Sequence, residues 1–303
     1  MIHRMNRAGN SQVEIARAIG FSQGSVSKEL GRNKGLRGYR PGQAEGKAMR
    51  RQAGKASRPL LVSGELKGMV DELLLRKHSP EQISGQLGKR RIHVSHESIY
   101  RYVLEDRRQC GLLYRELRIN GRRRYRRRCK SGRVGKIPDR VGIERRADSV
   151  NSRYHYGDWE VDLIEGSKGS GYLLSLYERK SRLGKLFYLR TKGAEETGNA
   201  IINTLQGYKV RTLTYDNGLE FAQHARVGEA LHAKGYFCQP YHSWEKGGVE
   251  NFNGLVRQYY PKGSSFAAIS SSTLRSVEDQ INQRPRKTLE YKSPSQLEPK
   301  LAA

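Results

Sequence analysis

Gly157-Asp158-Trp159-Glu160-Val161-Asp162-Leu163-Ile164 alternates residue by residue. In an extended chain Asp158, Glu160, Asp162 and Ile164 point one way and Trp159, Val161 and Leu163 the other, which predicts a strand with an apolar face. A glycine-rich turn over residues 166–171 leads to a second strand at 172–177, and a third is expected at 183–189, so three strands meander in series. Residues 195–205 read as a helix with Ile201, Ile202 and Leu205 inward. Residues 210–215 are short and apolar enough for a fourth strand buried beside the first, ending at Asp216-Asn217-Gly218. A helix over 222–233, a fifth strand at 236–239 and a final helix complete an α/β layout, a mixed five-stranded sheet with helices on its faces.

The final helix belongs to His242-Ser243-Trp244-Glu245-Lys246-Gly247-Gly248-Val249-Glu250-Asn251-Phe252-Asn253-Gly254-Leu255-Val256-Arg257, and Pro261 is expected to end it. Phe252, Leu255, Val256 and Tyr259 recur at helical spacing and can be buried. Glu250, Asn253, Gly254 and Arg257 fall opposite, with a glycine that lets another backbone or a nucleic-acid strand come close. The plain alternative is a solvated face with an Arg257 to Glu250 ion pair.

Asp162 within strand one, Asp216 after strand four and Glu250 on the last helix can converge at one sheet edge. Hard Mg²⁺, with Mn²⁺ as a substitute, takes oxygen ligands and keeps positions open for water and phosphate. A few carboxylates can therefore hold a pair of ions that clamp the attacking and leaving oxygens of a phosphodiester. Each member has rivals. Asp216-Asn217-Gly218 by itself is most often a turn. Asp158 and Glu160 share the face of Asp162 and compete with it as ligands, and Glu245 ranks behind Glu250. Glycoside hydrolysis would also use two carboxylates, but the charge of the chain argues against a sugar.

That charge is +27 over 303 residues, with pI ≈ 10.2. A field of this sign attracts polyanions, and binding is driven by counterion release. No apolar run approaches a bilayer span and the start lacks an apolar core with a cleavage site, so a soluble, cytoplasmic protein without a membrane partner is expected. Cys110, Cys129 and Cys238 stand singly, which argues against a disulfide framework and a structural zinc site.

The N-terminal part reads as all-α. Ser11-Gln12-Val13-Glu14 is a capping box opening a helix with Val13, Ile15, Ala16 and Ile19 as apolar positions. Gly20 breaks it and Ser22 caps a second helix to about Arg32, a helix-turn-helix pattern. Gln23, Ser25, Ser27 and Lys28 would then line the helix that enters a major groove. Residues 1–8 leave one or two turns for a preceding helix, so this unit is expected to be incomplete at its start. Residues 31–58 read as a basic linker. A second unit follows, with Leu66, Val70, Leu73 and Leu74 as a stripe, Ser79-Pro80-Glu81-Gln82 as a strong helix start, and Ser95 capping a further helix. There Ile99 and Val103 face inward, leaving His96, Tyr100 and Arg101 for a groove or backbone; an architectural or dimerising role is the alternative. Residues 118–136 hold no acid and include Arg122, Arg123 and Arg124, a block expected to bind phosphates or serve as a tether. The domains expected are 1–57, 58–110, a basic linker 111–150, and the α/β domain 151–303.

Residues 159–164, Tyr215-Asp216-Asn217-Gly218-Leu219-Glu220-Phe221 and residues 244–263 resemble the motifs of the IS-thirty family of bacterial insertion-sequence transposases. These are DDE recombinases with an RNase H-like catalytic fold. Asp162 and Asp216 are separated by 53 residues and Asp216 and Glu250 by 33, the spacing this family shows. The resemblance implies that Asp162, Asp216 and Glu250 are the metal-binding catalytic triad, and that Arg257 lies beside DNA near the cut, with Lys246 and Asn253 as further candidates for DNA contact. It implies that the N-terminal units recognise terminal inverted repeats and that a homo-oligomer acts on two ends and on target DNA. Two other readings stay open: a catalytically silent DNA-binding regulator of a mobile element, and a structure-selective nuclease that cuts without joining.

Overall fold

The computed structural model describes residues 1–56, 62–118, 137–240 and 242–302. The chain divides into two compact units, Met1–Leu61 and Val62–Ala303.

In the first unit, α1 (Ile2–Arg7), α2 (Gln12–Ile19) and α3 (Gln23–Asn33) close around Ile15, Ala16 and Val26. The Glu14 N–H donates to Ser11 Oγ at 3.3 Å and the Ser11 N–H to Glu14 Oε2 at 2.7 Å, which is the expected capping box. Gly20 ends α2 at φ +72°, the left-handed conformation that a side chain would resist, and Ser22 caps α3. Val13 is 56% exposed rather than buried, because it sits on the flank of the Ile15, Ala16 and Ile19 stripe that so small a core leaves uncovered.

The stretch 31–58 is not the linker expected. Most of it is a helix, α4 (Pro41–Ala56). Pro41 suits a first helical position and Gln43, Ala44, Lys47, Ala48, Met49, Arg50 and Arg51 are good helix formers. What holds the helix is non-local: Ala44 is buried, Lys47 Nζ donates to Lys34 O at 2.7 Å, and Arg51 Nη2 donates to Asn33 Oδ1 at 2.6 Å. Weak apolar periodicity hid it because one small buried residue and two long polar ones do the anchoring.

The second unit begins with α5 (Gly64–Leu75), α6 (Pro80–Lys89) and α7 (His96–Arg108). Ser79 and Gln82 form a capping box on α6 and Ser95 caps α7. Val70, Leu73, Leu74, Ile83, Leu87, Ile99 and Val103 make one core, so the stripes expected from the sequence are the ones buried. His78, between α5 and α6, is buried as well, and its burial, with the Arg284 charge nearby, pushes its pKa down from 6.5 to about 4. Between those values the unfolded chain takes up a proton that the folded chain refuses. Stability is therefore complete above pH 6.5 and is lost as pH falls toward about 4. In His78→Gln the fall of the urea midpoint over that window should be shallower than in the parent; equal slopes would show that His78 does not titrate as its burial demands.

The sheet follows: β1 (Asp158–Glu165), β2 (Tyr172–Glu178), β3 (Gly184–Leu189), β4 (Thr212–Tyr215) and β5 (Lys234–Phe237), in the order β3-β2-β1-β4-β5. β2 is antiparallel to β1 and β3, whereas β4 is parallel to β1 and β5. β5 starts two residues earlier than expected because its parallel register sets Lys234 against Thr212. The two faces of β1 part as alternation predicts. Trp159 and Val161 join Leu174, Leu176, Leu213 and Ile201 in one core, and Ile164 joins Leu173, Phe252, Val256 and Ile281 in another. The first core is closed by α9 (Ala194–Leu205) and α10 (His224–Ala230), the second by α11 (Gly247–Val256) and α12 (Ser271–Asn282).

Each sheet edge is met by another segment, which takes up part of the strand-edge groups that would otherwise be open to pairing. On α12, Asn282 donates to Gly184 O at 2.7 Å and accepts from Gly184 N at 2.9 Å, while Glu278 Oε2 accepts from Leu186 N at 2.7 Å. These residues stand four apart on one helix face and take the outward backbone groups of β3. At the other edge Phe237 N donates to Val141 O at 2.9 Å. Residues 137–150 of the expected linker 111–150 are thus packed into the fold: Ile137 lies in the first core and Val150 is buried in the short helix α8 (Asp148–Asn151). No helix among the described residues is long and apolar enough to cross a membrane.

Candidate active site

β1 and β4 run side by side in parallel with Asp158 opposite Thr212 and Glu160 opposite Thr214. Continuing that register by two residues sets Asp162 beside Asp216, on the same face and at the same level. Three polar rungs result. At the first, Thr212 Oγ1 donates to Asp158 Oδ1 at 2.8 Å. At the second, Glu160 pairs with the Arg179 guanidinium and accepts from Val249 N at 2.7 Å, and Arg146 donates to Thr214 Oγ1 at 2.9 Å. The third rung puts two carboxylates against each other, Asp162 within β1 and Asp216 just past the carboxyl end of β4.

One cation answers both. Lys246 Nζ lies 3.1 Å from Asp162 Oδ1, 3.2 Å from Asp216 Oδ2 and 3.1 Å from Val161 O, with its side chain only 7% exposed. Burial opposes its charge, yet the two aspartates hold its pKa above the ordinary lysine value. Burial and the charge of Asp216 push Asp162 upward against the pull of Lys246. Asn253 Nδ2 donates to the other oxygen of Asp162 at 2.7 Å. Asp216 is also the turn residue that its tripeptide suggests, since its Oδ1 accepts from Gly218 N at 3.0 Å.

α11 is seated by Glu160, whose carboxylate takes the Val249 N–H from the helix N-terminus in place of a cap. Gly248 permits the approach: a Cβ there would lie 2.8 Å from Glu160 Oε2 and closer still to the Tyr177 ring. Phe252, Leu255 and Val256 are buried as the helical spacing predicts, but the helix ends at Val256, earlier than Pro261. Arg257 does not pair with Glu250. It donates to Glu165 O at 2.7 Å and so ties the end of β1 to the end of α11.

The rivalry among the acids is resolved by these partners. Asp158 and Glu160 are buried and committed to Thr212 and to Arg179, and Glu245 accepts from Gln239 N at 2.8 Å. Asp162 and Asp216 meet. Glu250 does not join them: it is exposed, makes no hydrogen bond or ion pair among the described residues, and no group of three acidic, histidine or cysteine side chains forms there. Three carboxylates without a counter-charge repel, and Lys246, one helical turn ahead of Glu250, supplies the positive charge at that place.

Lys246 and Asn253 therefore face the aspartates rather than presenting open surface to DNA. Lys246, Glu250, Asn253 and Arg257 form one stripe at helical spacing, the signal that could have tied the lysine to the acids. Arg118 went unrecognised in the sequence; it donates to Asn251 Oδ1 at 2.8 Å and covers Gly254. In the first unit Gln23, Ser25, Ser27 and Lys28 are exposed on α3; in the second, His96 is exposed at the start of α7 and Tyr100 and Arg101 are half-buried. Arg122, Arg123 and Arg124 lie outside the described residues.

A sheet of this order, with facing aspartates on adjoining parallel strands and capped helix-turn-helix units in the same strongly basic chain, defines a protein with an RNase H-like core. The transposase for insertion sequence element IS4351 of Bacteroides fragilis is 38% identical over 291 residues, covering 94% of this chain and 89% of its own. That for IS1086 of Cupriavidus metallidurans is 38% identical over 299 residues, covering 93% and 87%, and transposase InsI for IS30C of Escherichia coli strain K12 is 33% identical over 299 residues, covering 93% and 77%. The chain belongs to the IS30 (IS-thirty) family of insertion-sequence transposases. No protein-family model matches it. The catalytic core domain of BIV integrase aligns with 47% of the chain and 93% of its own at 19% identity, with a TM-score of 0.37.

Proposed function

We propose that the chain is a DDE-type transposase that cuts a phosphodiester at the inverted-repeat ends of its element and joins the freed 3′-hydroxyl to target DNA. The observation that carries this reading is the Asp162 and Asp216 pair, level on adjoining parallel strands and gathered on one positive charge. The donor set fits a hard divalent cation such as Mg²⁺ or Mn²⁺: two carboxylates and the Val161 carbonyl already surround the Lys246 ammonium, and all three are oxygen donors. Asp162 and Asp216 would hold the ions; Glu250, which stands apart from them on α11, is the third ligand this reading assigns. When bound, such ions polarise the phosphodiester and stabilise the attacking and leaving oxygens.

The chain's own residues do the rest. Water is the nucleophile for cutting and a 3′-hydroxyl for joining, so no side chain forms a covalent bond with DNA. Asn253 orients Asp162. Lys246 neutralises the aspartates and must give way as their charge is taken up elsewhere. The exposed residues of α3 and α7 are the reading's DNA contacts, and a homo-oligomer acting in the cytoplasm on two ends is part of the same proposal.

The experiment is to incubate the full chain with DNA carrying the element's terminal repeats and Mg²⁺ or Mn²⁺, scoring nicked and joined strands. Protection of the repeats with no metal-dependent product under any condition would replace this reading with that of a DNA-binding regulator. A second expectation concerns Lys246. In Lys246→Met nothing positive separates the aspartates, so Mn²⁺ should bind more tightly and raise the melting temperature further than in the parent. At about a hundredfold excess over its Kd a ligand contributes roughly 2.7 kcal/mol. Equal Mn²⁺ shifts in the two proteins would show that lysine and metal do not compete.

A further inference from the structure

A cleft of about 650 Å³ opens within the second unit, between the α5–α7 helices and the wall formed by α11 and the segment after α12. Its charged lining is one-sided. Lys77, Arg107, Arg118, Arg284, Arg286 and Lys287 face Glu81 as the single carboxylate. Lys77 is already neutralised by Glu116 at 2.8 Å. Neither Arg284 nor Arg286 forms an ion pair with an acid among the described residues. Arg284 is 1% exposed and bonds neutral groups, Gln258 Oε1 at 2.7 Å and the Tyr259 hydroxyl at 2.6 Å, while its Nε–H finds no acceptor among the described residues. Arg286 donates to Ile281 O at 3.0 Å; besides the Tyr177 phenol, the groups that act on its charge include the guanidiniums of Arg284, Arg118 and Arg182.

Burying one guanidinium beside others without pairing it to a carboxylate is costly, and folds ordinarily avoid it unless an anion completes the group. The planar fork of arginine matches a phosphate better than any other common anion partner apart from a carboxylate. The cleft also runs between two places the transposase reading needs: Tyr100 of α7 lines one wall, and Asn251, next to Glu250 on α11, lines the other. We infer that this cleft is a backbone-phosphate site for the DNA being processed, with Arg286 and Lys287 as phosphate ligands and Arg284 beneath them as a buried positive charge. The inference rests on the reading of DNA as substrate, but it assigns a contact surface that is separate from the Asp162 and Asp216 pair.

The test uses the full chain, a fluorescein-labelled duplex of arbitrary sequence and a salt series, all in EDTA so that no cutting intervenes. Arg286→Gln and Lys287→Gln should each weaken binding by about tenfold and lower the slope of log K against log salt by roughly 0.9. Thr288→Glu, an exposed position on the cleft rim, supplies the missing carboxylate. It should raise the melting temperature without DNA and weaken DNA binding at the same time, a pairing that a purely structural role for the arginines does not produce. Parental affinity and slope in all three variants would overturn the inference. A higher melting temperature in Thr288→Glu with unchanged DNA binding would overturn it too, in favour of another anion. Metal-dependent cutting, scored separately on the same proteins, decides the catalytic reading whichever way the binding falls.

Discussion

Asp216→Asn should abolish metal-dependent cutting while leaving the fold intact. Its Oδ1 holds the Gly218 N–H and an asparagine oxygen can do the same, so the turn survives. Its Oδ2 is one of two carboxylate oxygens on Lys246, and Asp162 remains to hold that ammonium. With the Asp216 side chain 42% exposed, the lost ion pair costs at most about 1 kcal/mol. Under the proposed reading, in which Asp216 is a metal ligand, the loss costs far more in catalysis: metal stabilisation of developing charge is worth several kcal/mol, and about 4 kcal/mol corresponds to roughly a thousandfold in rate. Strand nicking in a single-turnover assay, beside a thermal melt of the same sample, separates the two effects. Nicking at the parental rate would remove Asp216 from the site.

Glu160→Gln should do the reverse, although Glu160 lies on the same strand and face as Asp162. Its carboxylate is 1% exposed and pairs with the Arg179 guanidinium, itself buried, while accepting the Val249 N–H that seats α11. Removing one charge of a buried pair strands the other, which costs roughly 3–5 kcal/mol. That is a large part of the roughly 5–15 kcal/mol a domain commonly has. The urea midpoint is therefore expected to fall steeply, and Arg179→Met in the same chain should recover part of the loss because the unpaired charge goes with it. A loss below about 1 kcal/mol would show that the pair does not hold the helix.

These two outcomes mark the line between what was legible and what was not. Alternation across residues 158–164 separated the faces of β1, and the cores around Trp159 and Ile164 obey it. Ser11, Ser22, Ser79 and Ser95 announced their helices because a cap is satisfied within three residues of chain. The same alternation could not rank Asp158, Glu160 and Asp162, which are identical in period and similar in chemistry. Their fates were set by Thr212, Arg179 and Lys246, brought alongside by strand register and by the seating of α11. Nor could it reveal that α12 would satisfy the edge of β3, or that a lysine would stand where a third carboxylate was expected.

By itself the sequence determined the alternating strand, the capped helices, the basic charge and two aspartates, one within the first strand and one just after the fourth. Each of these depends on spacing along the chain or on composition. Only the tertiary structure decided which acid is structural and which is left facing a cation, that residues 41–56 are helical, and that a buried arginine meets other guanidiniums in a cleft lined by a single carboxylate. Those outcomes turn on which charges and backbone groups are brought within a few ångströms of each other, and electrostatics in a poorly solvated interior depends so steeply on distance and burial that no one-dimensional pattern encodes it.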